Sequence, residues 1–102
     1  MHAVDLLCPL LCEAMRDRRV LAFDYHGHER RVAPYCHGFN ARGEVLRAVQ
    51  IGGTSASGGF GFGKLWIVAE MQRVRVSEES FVPDDPDYHP DDSAMMRIHC
   101  RI

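Results

Sequence analysis

At Val20 the hydrophobic period of the chain changes, and this switch constrains the fold more than any other feature. Before it, Leu6, Leu7, Leu10, Leu11, Ala14 and Met15 recur at intervals of three and four, which is one face of a helix. After it, β-branched and aromatic residues alternate in short runs bounded by turn residues. The spacing predicts an amphipathic helix over Ala3–Arg18. Asp5 can cap it, which would place Pro9 in the first turn, where a missing N–H does little harm. Arg16, Arg18 and Arg19 gather near its C-terminus, where cations suit the helix dipole.

The second half reads as strands. Leu21, Phe23 and Tyr25 alternate on one face of Val20–Tyr25, and His26-Gly27-His28 offers a turn into a return strand over Glu29–Phe39. Pro34 inside that strand requires an edge or a bulge. Asn40–Gly43 is the next turn, followed by a strand at Glu44–Ile51. A stretch with six glycines, Gly52–Gly63, precedes a strand at Lys64–Val68. Gln72–Ser77 alternates again, Pro83–Pro90 is an acidic, proline-punctuated loop, and Met95–Ile102 is a last alternating run. One helix followed by five or six short strands predicts a mainly β fold, a small barrel or rolled sheet, in a single domain over residues 1–102 with the last strand added at an edge.

Composition sets the function classes aside in turn. The net charge of −2 provides no overall basic field for nucleic acid or anionic lipid. Residues 1–83 carry ten Lys and Arg against nine Asp and Glu, while residues 84–102 carry two against five, so the negative excess lies in the tail. No run of about 20 apolar residues exists to span a membrane, and the first residues lack the basic start of a signal peptide. A cytoplasmic protein is expected, with Cys8, Cys12, Cys36 and Cys100 as free thiols.

Three stretches in order resemble the WYL domain, a small Sm-like β-barrel of bacterial regulators. Phe23-Asp24-Tyr25, a turn and Arg30-Arg31-Val32-Ala33-Pro34-Tyr35 form the first. Val45-Leu46-Arg47-Ala48 stands where the family's Trp-Tyr-Leu triplet falls. Lys64–Met71 is similar to its "Arg-x-Phe-x-x-x-Arg-Ile" segment, and Phe81 closes a match that covers about residues 11–81. The chain departs from the pattern at Val45 and Leu46, at Glu70, where the family has arginine, and at Lys64, which keeps the charge but loses the bidentate fork. The family's usual helix-turn-helix does not precede the match. The resemblance implies a ligand-sensing module that binds nucleotides or single-stranded nucleic acid, with Tyr25, Arg30 or Arg31, and Lys64 carried over. Glu70 would repel an anionic ligand unless a cation intervened.

The residues themselves support part of this. Arg30 and Arg31 are neighbours on a strand, so one of them can face a given side. With Lys64 and Arg47 from adjoining strands, that one could hold a phosphate through charge-assisted hydrogen bonds; the competing account is a solvated arginine paired with Glu29 or Glu44. Tyr25, Tyr35 and Phe39 could stack bases, yet core packing accounts for them better. The glycine-rich loop lacks a P-loop ending, because Lys64 is followed by Leu65. Cys8 and Cys12 share a helix face, but structural zinc favours Cys-x-x-Cys knuckles. Cys36-His37 and His99-Cys100 are adjacent pairs on strands and should point opposite ways. No metal or cofactor is expected. Neither Ser55 and Ser57 nor Cys36-His37 makes a preorganised catalytic group, and the aspartates after Pro83 lack EF-hand spacing. The expectation is therefore a non-enzymatic binding module with Tyr25, Arg30, Arg31, Arg47 and Lys64 at its site. The alternative is an interaction protein that homodimerises or adds a partner's strand at an open edge.

Overall fold

The computed structural model describes residues 3–53, 64–83 and 94–102, with side chains from Pro9 onward. Helix α1 (Ala3–Arg16) is followed by β1 (Arg19–Tyr25), β2 (His28–Asn40), β3 (Gly43–Gly53), β4 (Lys64–Ile67), a 3-10 turn (Val68–Glu70), β5 (Met71–Ser80) and β6 (Arg97–Arg101). The strands form one antiparallel sheet in the order β4-β3-β2-β1-β5, with β6 paired to β2. The protein is thus mainly β with one helix. Pairing between the edge strands β4 and β5, which would close a barrel, is not among the described ladders.

The sheet is nevertheless strongly rolled. In a flat sheet β1 and β4, three ladder steps apart, would be separated by about 14 Å. Here the Ile67 N–H of β4 donates to the Tyr25 hydroxyl of β1 at 3.1 Å. The roll encloses the main core, in which Leu11, Ala14 and Met15 of α1 pack over Leu21, Phe23, Val32, Leu46, Ala48, Trp66, Val68 and Met71. A smaller cluster of Cys36, Val45 and Met95, joined by Leu65 and Ile98, covers the other face. Among the described residues no helix is long and apolar enough to cross a membrane.

Two local expectations change and the one for Pro34 is met. Pro9 lies inside α1 rather than in its first turn, since the helix begins at Ala3; burial of Leu11, Ala14 and Met15 offsets the hydrogen bond a proline removes. Pro34 falls where the β1 ladder has ended and beside a bulge at Tyr35, because Pro34 faces Ala48 while Cys36 already faces Arg47. The last strand does not extend a sheet edge. β6 continues the line of β1 alongside β2, pairing Cys36–Phe39 where β1 pairs His28–Val32. Asp5 and Cys8 as side chains, the glycine-rich stretch with Ser55 and Ser57, and the acidic loop lie outside the described residues.

Candidate anion-binding site

Trp66 is the hub of the candidate site. Its position on β4 opposite Leu46 turns the indole into the rolled face, where the ring N–H donates to the Ala48 carbonyl at 3.1 Å. Phe23 and Tyr25 of β1 meet it edge-on, with ring centroids 5.4 and 5.0 Å away. The Arg30 guanidinium stands 5.6 Å from the Trp66 centroid and 5.9 Å from that of Tyr25, so two aromatic faces solvate one cation. Lys64 Nζ lies 5.4 Å from the same Trp66 ring and its side chain is exposed.

Arg30 is 5% exposed. Its Nη1 donates to Gln50 Oε1 at 3.4 Å and its Nη2 to the Tyr25 carbonyl at 3.3 Å, both neutral acceptors. Among the described residues its Nε has no acceptor. Among the described residues no carboxylate lies at ion-pair distance from this guanidinium. The rim is set by the β1–β2 turn, where His26 and Gly27 both adopt positive φ, 52° and 81°. A two-residue turn of this hand matches the twist of the flanking strands, and Gly27 accepts it without strain. The turn lays the His26 ring on Tyr25, centroids 4.2 Å apart, and hands its Nε2 to the Glu70 carboxylate. Glu70 is therefore engaged by a histidine at the rim.

The five expected site residues separate into two groups. Tyr25, Arg30 and Lys64 come together around Trp66. Arg31 faces the other way, with its guanidinium over Gly52 and bonded to Glu79 at 2.8 Å. Arg47 also sits on the far face, opposite Cys36 and Leu65 in register. Strand alternation alone separates Arg30 from Arg31. Trp66 and Gln50 are missing from the sequence-based set. An available signal was that Trp66 is the only tryptophan of the chain and stands two residues after Lys64 on a strand.

A second polar cluster lies between α1, β2 and β6. His37 is fully buried, with Nε2 2.5 Å from Glu44 Oε2 on β3. Burial holds the His37 ring below the ordinary histidine pKa, and the Glu44 carboxylate opposes that shift. Cys12 and Cys100 are joined by a disulfide, which corrects the expectation of free thiols; Cys36 remains a buried thiol, beside Met95. Cys100 Sγ is 3.8 Å from His37 Nδ1, and the His99 ring meets His37 edge-on at 5.3 Å. Adjacent strand residues ordinarily diverge. A bulge defeats the rule here: His37 faces Cys100 and Gly38 faces Ile98, so His99 is an extra residue on β6. Gly38 makes the close approach possible, since a Cβ there would stand 2.2 Å from the Arg97 carbonyl oxygen.

Comparison with family profiles, characterised proteins and solved structures returns no match.

Proposed function

We propose that the chain is a non-enzymatic, ligand-sensing regulatory module of WYL type, and that it takes an anionic ligand such as a nucleotide or a nucleic-acid fragment. The observation that carries this reading is Arg30, a buried cation whose partners among the described residues are neutral acceptors and two ring faces, with none for its Nε. Burying an unpaired charge is costly, and a phosphate arriving beside it recovers part of that cost. Lys64, exposed on the same indole, is the group that meets the ligand first, and the Tyr25 and Trp66 rings border the path. The order of helix and strands and the inward roll also favour a small Sm-like barrel, completed where β4 and β5 meet through the 3-10 turn.

The test is thermal denaturation with a nucleotide triphosphate and with short single strands. A ligand at a hundredfold excess over its Kd stabilises by about 2.7 kcal/mol, and the shift should vanish in Lys64→Ala. Binding of single strands should weaken steeply with salt. An equal shift in Lys64→Ala, or none at low salt, would count against the site.

A second reading rests on the sheet edges, which suit homodimerisation or strand addition. It favours β4, because β5 carries Gln72, Arg73, Arg75, Glu78 and Glu79 exposed, and charged edges resist pairing. A mass independent of concentration, with no partner retained in pull-downs, would sink it.

A further inference from the structure

The strongest feature outside the Arg30 site is the cluster of sulfur and imidazole around the α1–β6 junction. One ligand atom each from Cys12, His37 and His99 lie within 4.8 Å of one another. Cys100 supplies a fourth donor, bonded to Cys12 and 3.8 Å from His37 Nδ1. We propose that, when the Cys12–Cys100 bond is reduced, Cys12, His37, His99 and Cys100 form a four-ligand site for a zinc-class divalent ion.

The donor set fits the chemistry. Two thiolates and two neutral imidazoles are a common structural zinc set, with bonds of about 2.3 Å to sulfur and about 2.0–2.1 Å to nitrogen. Tetrahedral ligands at those lengths stand about 3.3–3.8 Å apart. The donors of Cys12, His37 and His99, within 4.8 Å of one another, need to close by at most about 1.5 Å, and the sulfurs must separate, which breaking their bond permits. Glu44 holds His37 Nε2 from the far side and leaves Nδ1 aimed at the sulfur pair. Carboxylate–histidine–metal arrangements use this orientation to fix the ligating nitrogen. The bulge that places His99 and Cys100 on the side of His37 completes the set.

Access is available from one side. Cys12 and Cys100 line a cleft of about 730 Å³ together with Pro9, Arg16, Arg18 and Arg101. A thiol reductant entering it attacks one sulfur as a thiolate, forms a mixed disulfide and releases the other cysteine thiolate. A second reductant thiol releases the first cysteine. Two electrons pass from the two thiols to the cysteine pair, and the reductant leaves as its own disulfide. The neighbouring arginines favour the thiolate form. When the ion binds, the protons of the two thiols go to solvent, and an ion of charge +2 with two thiolates and two neutral histidines is electrically neutral. The same sulfurs therefore tether α1 to β6 either directly or through a metal, and each state excludes the other.

The test is a cobalt(II) titration of the whole chain, reduced with a thiol and desalted under argon, with the oxidised chain as control. One equivalent should saturate the reduced protein with tetrahedral absorption and a sulfur-to-cobalt charge-transfer band, and zinc should displace it. The oxidised protein should show neither band. His99→Ala, at an exposed position, should weaken binding at least tenfold, and Glu44→Gln should weaken it by about 10–100-fold. Cys12→Ser and Cys100→Ser should each diminish the charge-transfer band. A reduced chain showing only weak octahedral cobalt absorption would overturn the proposal. So would affinity unchanged in both His99→Ala and Cys100→Ser.

Discussion

Replacing Trp66 by alanine would remove the ring shared by Phe23, Tyr25, Arg30 and Lys64. Large aromatic-to-alanine changes in cores cost about 3–5 kcal/mol. Trp66→Ala should lose that much in urea unfolding, whereas Lys64→Ala, on an exposed side chain, should stay within about 0.5 kcal/mol of the parent. A comparable loss in both variants would deny the division between a structural ring and an exposed ligand contact. Gly38→Ala should destabilise by about 1–3 kcal/mol, because its Cβ meets the Arg97 carbonyl of β6 more closely than the Met95 side chain, and backbone cannot swing aside. His37 yields a pH prediction. Burial depresses its folded-state pKa, so the stability it contributes is whole above the ordinary value of 6.5 and is lost as pH falls below that value towards the depressed one. An NMR titration of its ring protons in the oxidised protein should show a midpoint below 6.5; a midpoint at or above 6.5 would contradict the assigned burial effect.

At the scale of elements, one bond matters most. The Cys12–Cys100 disulfide joins α1 to the last strand across a sequence separation of 88. By chain-entropy arguments a closed loop of this size is worth about 4–5 kcal/mol. Reduction of metal-free protein should lower stability towards that amount, read from urea midpoints before and after a thiol is added. An unchanged midpoint would mean that the bond does not tether α1 in the folded protein. Zinc added to the reduced protein should recover part of the loss if the four-ligand site forms. The elements themselves were largely legible in sequence: the period switch at Val20, the His26-Gly27 turn and the Asn40–Gly43 turn all stand where the alternation put them. What strict alternation cannot convey is a bulge. Strict alternation over Met95–Ile102 puts Ile98 and Cys100 on one face. The extra residue at His99 instead sends Ile98 to the Met95 cluster and Cys100 to the helix side. That one-residue slip also hid the Cys12–Cys100 bond, because sequence spacing carries no information about which distant strand lies under α1.

For the whole molecule, the roll of the sheet decides which cations meet. Tyr25, Arg30 and Lys64 belong to β1, β2 and β4, and curvature brings them to one indole although three ladder steps separate the outer two strands. Alternation assigned Arg30 or Arg31 to the site without choosing between them, and the register with β3 makes the choice: Arg31 faces Gly52 and bonds Glu79, while Arg30 turns inward to Gln50. Arg47 was out of reach of the same face for the same reason. The buried position of Arg30 could not be read from sequence, since it depends on Tyr25 and Trp66 closing over it from different strands. The central claim is that an anionic ligand is drawn to this buried cation past Lys64. Trp66 is the only tryptophan, so its indole N–H provides a single NMR resonance inside the proposed site. Titration with a nucleotide triphosphate at low salt should shift that resonance saturably in the parent and leave it unmoved in Lys64→Ala. A resonance that stays fixed in the parent, or moves equally in both proteins, would contradict the account.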